Sequence, residues 1–288
     1  MKHKRFIIFL AIGNLMLLLS NFQLYQEQMI KPPDKINLLV QLDWPEDYYS
    51  QLSYIMQGKS GYWLRYPPYS TEPSTSGIFH IYSIFVGKIA LIFNLPTYLA
   101  YHLARLAMVE LFIIAIYLLS RLVLGKTYAF WAAIFALIGT YAPQFIRQYN
   151  PLNTTPTPMD IHNLDAIERL FSPAHHNAGE MLLLFGLAGF FYYLKSHKLS
   201  ILIISSTLLF IGSILFPSIL LPIAFALPIS VFIYVLRQII TLKKLVLPKH
   251  LLFAAGLILI CGLIVFTIIQ TQEQRLSAKE SKEIVCFL

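Results

Sequence analysis

GIFHIYSIFVGKIALIFNL, residues 77–95, is one of eight apolar runs in this 288-residue chain, and whether it crosses a membrane decides the topology of everything after it. A span needs about 20 mostly apolar residues. The other runs of that order are 6–24, 98–120, 127–146, 177–194, 199–215, 217–236 and 250–270. Lys2, Lys4 and Arg5 hold the N-terminus in the cytoplasm, so run 6–24 exits and places residues 25–76 outside. If 77–95 also crossed, Arg121, Lys126, Lys195, Lys198, Arg237, Lys243, Lys244 and Lys249 would all stand outside. If it lies along the outer surface, those cations return to the cytoplasm and the sparsely basic stretch 147–176 goes out. The pattern inside the run favours the surface position. His80, Ser83, Gly87 and Asn94 fall near one helical stripe with Lys88 beside it, Ile, Phe and Leu fill the rest, and Pro96 ends the helix. The competing reading is an ordinary span whose small residues form a packing face.

The expected fold is therefore an all-α, polytopic membrane helical bundle with about seven transmembrane helices and one outer-surface interfacial helix. Residues 1–270 form the membrane module, with outer loops at 25–76 and 147–176, and residues 271–288 form a polar tail. Composition agrees: 57% of residues are hydrophobic and only 12% charged, about half the charged share of a soluble domain. The net charge of +8 sits in short clusters between apolar runs, the pattern of loops facing anionic lipid, so nucleic acid is not the expected partner. Cys261 and Cys286 bracket no loop and imply no disulfide framework. The first run has the flanks of a signal peptide but no small-x-small cleavage site, and it reads as an anchor helix.

The first outer loop carries the densest polar chemistry, DWPEDYYSQLSYIMQGKSGYWLRYPPYSTEP at 43–73. Asp43, Glu46 and Asp47 are its candidate catalytic carboxylates. Asp47, followed by Tyr48 and Tyr49, precedes an amphipathic segment with Leu52, Ile55 and Met56, so it stands near a helix start. A carboxylate fixed there beside aromatic rings suits a general base; an N-cap is the plain alternative. Arg105 lies about two turns into run 98–120, with His102 one turn above it on the same face. Charge at that depth is expensive, so Arg105 either grips a phosphate through its planar fork or extends to the interface as an anchor. His176 and Glu180 share a helix face at i,i+4. A divalent metal completed by Asp47 or Asp43 is one use for them, and capping with interfacial hydrogen bonding is the other. The cofactor stays open on these grounds.

With those residues in place, the chain resembles the GT-C superfamily of polyprenyl-phosphate-dependent membrane glycosyltransferases. The likeness lies in Asp47-Tyr48-Tyr49, Leu52-Ser53, Gln57-Gly58, Gly61-Tyr62-Trp63-Leu64 and Pro68-Tyr69-Ser70-Thr71-Glu72-Pro73. It continues in Tyr101-His102-Leu103-Ala104-Arg105 and Phe171-Ser172-Pro173-Ala174-His175. The resemblance implies an inverting enzyme that takes a sugar from a polyprenyl-phosphate donor at the extracytoplasmic face of the cell membrane. Carried over, Asp47 is the catalytic carboxylate and Arg105 the phosphate ligand, with His102, Tyr48, Tyr49, Glu72 and His175 as further candidate substrate contacts. Members of that superfamily usually continue with more spans, so a truncated, inactive copy is also an expectation. A reading from another class is a non-catalytic polytopic protein, either a transporter of a lipid-linked substrate or an assembly subunit. Transporters tend to carry internal repeats and midplane sites, and none is visible here.

Overall fold

A computed structural model describes residues 4–32, 34, 39–40, 45–66, 80–138 and 170–216, with isolated positions 232, 236, 240, 256, 263 and 267. The described elements are all helical: α1 (Lys4–Ser20), α2 (Phe22–Ile30), α3 (Pro45–Lys59), α4 (Ile81–Ile92), α5 (Thr97–Ile138), α6 (Ala174–Ser196) and α7 (Leu199–Leu215). Two of them, α5 and α6, are long and apolar enough to cross a membrane. A third joins them if α1 and the helix after it count as one span bent by 55°. The bend has a local cause. The Leu17 carbonyl accepts hydrogen bonds from Ser20 Oγ at 2.8 Å and Asn21 Nδ2 at 2.7 Å, and side-chain bonds of this kind draw a helix off its axis. The first helix therefore turns at Asn21, inside the expected 6–24 run, and α2 occupies the start of what the sequence suggests is loop.

Seven spans were expected, and the described residues show two or three. Runs 217–236 and 250–270, most of 147–176 and the tail 271–288 lie outside the described residues or contribute single positions. Run 98–120 and the described part of run 127–146, up to Ile138, appear as α5, broken at Gly125 (φ 74°, ψ −178°). That backbone geometry is open to glycine and costly for other residues. Beyond the break the chain comes back alongside itself: Ala133 and Leu137 share one apolar cluster with Val109, Phe112, Ile113 and Tyr117, and with Phe9 and Leu17 of α1. Helices α6 and α7 then form a hairpin through His197, whose left-handed conformation (φ 55°) caps α6. Gly186 lets Leu209 of α7 pack directly on the α6 backbone.

The bundle has two chemically different ends. At one, Arg5 Nη1 donates to the Thr127 carbonyl at 3.3 Å and Lys195 Nζ donates to the Leu122 carbonyl at 2.7 Å, which gathers Arg5, Lys126 and Lys195. This is the basic end. At the other, α3 and α4 lie together over the start of α5 and of α6: Tyr48, Ile55, Val86, Ala90, Ala100, Tyr101 and Ala174 form one cluster.

Helix α4 is shorter than the candidate spans; its N-terminal His80 stacks on Tyr54 of α3, and its following residue Leu95 accepts a hydrogen bond from Lys59 Nζ of α3 at 2.7 Å. Both ends of α4 thus stay with α3. The stripe seen in the sequence has a different addressee from the one expected. Ser83 and Gly87 are buried against α3 instead of facing water, so the stripe is a packing face on a helix that stays at one end. Gly58 and Gly87 make the contact: a Cβ built on either falls on the other helix's backbone.

Candidate functional site

The end opposite the basic one holds two connected polar groups. Helix α3 positions the first through its buried stripe of Tyr48, Gln51, Tyr54, Ile55 and Gly58, spaced three or four apart. Asp47 and Glu46 sit in the first turn of this helix, where carboxylates interact favourably with the exposed N–H groups. Asp47 is inside the turn, not the cap that the plain reading expected. Its carboxylate reaches solvent, yet enough protein surrounds it to push its pKa above the usual range through lost hydration. It is an electrostatic neighbour of Tyr101, whose hydroxyl is bonded to the Ala174 backbone.

Tyr48 points the other way from Asp47, into the protein. Its ring packs edge-on against Tyr101 at 5.1 Å and lies 5.7 Å from the His102 ring, and burial raises its hydroxyl pKa. Tyr49 is exposed, so of the two candidate tyrosines only Tyr49 is open to an incoming ligand. One turn further along α5, Arg105 is 1% exposed. Its Nη2 donates to Asn21 Oδ1, its Nη1 lies 3.5 Å from the Leu170 carbonyl, and its guanidinium stands 4.9 Å from the centre of the Phe171 ring. No carboxylate among the described residues pairs with it, and Nε has no partner there. The α1 bend, the 170–171 segment and the Phe171 ring enclose the charge. His102 Nε2 donates to the Leu39 carbonyl at 2.9 Å, which makes Nε2 the protonated nitrogen and leaves Nδ1 a buried acceptor with no partner among the described residues.

The second polar group is a histidine cluster. His80 and His175 have ring centres 5.3 Å apart, His175 and His176 4.3 Å apart, and Tyr54 stacks on His80 at 4.8 Å. Both His175 and His176 belong to the first turn of α6, which begins at Ala174 inside the stretch 147–176 read as outer loop and carries His176 and Glu180 on one helix as expected. Ser83 Oγ donates to Gln51 Oε1, and Gln51 Nε2 donates to His80 Nδ1 at 3.0 Å, which holds His80 as the neutral Nε2–H tautomer. The proposed metal set of Asp47, His176 and Glu180 is not assembled: among the described residues no three His, Cys, Asp or Glu side chains converge on a metal position. Asp43 and Glu72 lie outside the described residues.

Burial pushes His80 down to about 4, and the charges of Arg65 and His176 push in the same direction. The folded protein therefore binds this proton less well than the unfolded chain, whose histidine titrates near 6.5, so the stabilisation is complete above that value and is lost as pH falls toward 4. Lowering the pH from 7 to 5 is expected to cost about 2 kcal/mol through this side chain. Thermal melts of the parent and of His80→Gln at both pH values check this; an acid-induced loss of the same size in His80→Gln would assign the effect elsewhere.

Asn21, Gln51, Tyr101 and Phe171 organise the site; the sequence named Tyr101 and Phe171 only within the stretches of family likeness and the other two not at all. A polar residue ending the first apolar run was a signal for Asn21, and a glutamine on the apolar stripe of α3 was one for Gln51. No family model, curated protein or solved structure matches the chain.

Proposed function

We propose that the chain is an integral membrane glycosyltransferase that moves a sugar from a polyprenyl-phosphate donor to an acceptor hydroxyl at the extracytoplasmic face. The observation that carries this reading is the stacking of charge at one end of the bundle. Asp47 reaches solvent beside Tyr101, and Arg105 lies buried one helical turn below Tyr101. Asp47 removes the acceptor proton, for which a raised pKa makes it a stronger base. Arg105, already tied to Asn21 and Leu170, supplies fixed positive potential beneath the leaving phosphate, and Tyr49 and His175 line the approach. The basic end faces the cytoplasm, as the distribution of lysine and arginine favours. Transfer then needs no protein covalent intermediate: the acceptor oxygen forms the new glycosidic bond as the bond to the phosphate oxygen breaks, and the phosphate leaves with both electrons.

One observation favours a second reading. The guanidinium of Arg105 is enclosed and shared among protein partners, as in a structural tie, which suits a non-catalytic subunit or carrier.

Sidedness and transfer test the first reading together. With Cys261 and Cys286 replaced, a cysteine at Trp63, 72% exposed, is expected to react with a membrane-impermeant thiol reagent in intact cells, while one at Ser196 is expected to stay protected. Membranes containing the chain should pass label from a polyprenyl-phosphate sugar pool to an acceptor above the level of membranes without it. Reversed labelling removes the extracytoplasmic assignment. Correct labelling without transfer leaves the subunit reading in possession.

A further inference from the structure

At the basic end, between α5 and α6, there is a crevice of about 740 Å³, the size of an ordinary small-molecule site. Its rim carries Arg121, Lys126 and Lys195, and its walls include Leu118, Phe185 and Tyr192. No acidic residue among the described ones lines it. Gly125, where α5 breaks, lines the crevice, and no atom of the described residues lies within 4 Å of where its Cβ would be. Lys195 uses one N–H on the Leu122 carbonyl at 2.7 Å, which fixes the ammonium at the mouth and leaves two N–H donors free. Arg121 and Lys126 are exposed and have no carboxylate partner among the described residues. Three cations with no carboxylate partner among the described residues, set over an apolar slot, form an amphiphilic receptor, because the rim demands an anion and the walls demand hydrocarbon.

We propose that this crevice binds one anionic phospholipid of the adjoining leaflet, with its phosphate among Arg121, Lys126 and Lys195 and an acyl chain along Leu118, Phe185 and Tyr192. Charge complementarity selects the headgroup and the apolar wall selects a lipid over a soluble phosphate. The site is at the far end of the bundle from Asp47, so it stands whether or not the chain transfers sugar.

Native mass spectrometry of the full chain in detergent tests it, with phosphatidylglycerol, phosphatidylcholine and soluble glycerol phosphate as probes. One phosphatidylglycerol is expected to stay bound at concentrations where phosphatidylcholine and glycerol phosphate do not. The combined Arg121→Gln, Lys126→Gln, Lys195→Gln variant should weaken that binding roughly 100-fold, from the usual contribution of each basic residue near an anionic surface. Lys198→Gln, at the same end but not in the crevice wall, should leave it unchanged. Leu118→Trp, which keeps every charge and fills the slot, should also release the lipid and guards against a folding defect in the triple variant. Equal retention of phosphatidylcholine, competition by glycerol phosphate at matching concentration, a loss in Lys198→Gln as large as in the triple variant, or undiminished binding in either crevice variant overturns the proposal.

Discussion

Gly58→Ala is expected to lower stability by about 3 kcal/mol, at the upper end of what overpacking costs. The new methyl group would stand 3.0 Å from the Cα of Gly87 and even closer to the Ile84 carbonyl oxygen. These are backbone atoms of α4, so no rotamer change relieves the clash and the two helices must separate. Separation breaks everything that depends on their approach: the Ser83–Gln51–His80 chain, the stacking of Tyr54 on His80, and the Lys59 bond to Leu95. Gly87→Ala meets the Ile55 carbonyl in the reciprocal way and should behave alike. Gly256→Ala is the control, because a Cβ there meets nothing within 4 Å. Thermal melts in detergent compare the three, and a Gly58→Ala melt equal to that of Gly256→Ala would mean that α3 and α4 are not in contact as described.

Asp47→Asn should cost roughly 10²- to 10⁴-fold in turnover if the carboxylate is the base, while lowering stability by no more than the ~1 kcal/mol of a first-turn charge. Glu46→Gln removes the same charge from the same helical turn and is expected to leave turnover near the parent value, so the pair separates chemistry from the helix dipole. The pH profile adds an independent sign. A base whose pKa lies above the ordinary carboxylate value of 3.8 gives an acidic limb that rises with pH, with its midpoint above 3.8. Equal activity in Asp47→Asn and Glu46→Gln would leave Asp47 a helix-start charge and remove the base from the mechanism.

Sequence disclosed the parts of this fold that depend on what one residue wants, and concealed those that depend on which residue it meets. Arg121 and Lys126 marked the break between two apolar runs because charge does not stay in hydrocarbon, but the device that makes the break, Gly125 at φ 74°, is silent among other small residues. The stripe in 77–95 was visible by its period. Period defines a face but not its partner, and α3 took the place assigned to water. Arg105 was conspicuous as a cation in an apolar run, whereas Asn21, 84 positions earlier, showed only as a polar residue near the end of the first run, with nothing local to pair it with Arg105. For the same reason His80 read as one polar residue on a stripe, and only the fold brought its ring to that of His175.

The housing of Arg105 also orders the biogenesis of the protein. Its two hydrogen-bond partners come from opposite sides of the chain, Asn21 already made when α5 emerges and Leu170 still 65 residues from synthesis. A nascent chain ending anywhere between them holds the guanidinium by one hand. Delivered to lipid in that state, it carries a penalty that reaches ~2.5–3.5 kcal/mol at the helix centre and is smaller at its depth of about two turns. That favours α5 waiting beside the insertion machinery, or lodging against α1 by way of Asn21, until the ribosome has supplied residues 170–171 and the segment can leave with its charge enclosed.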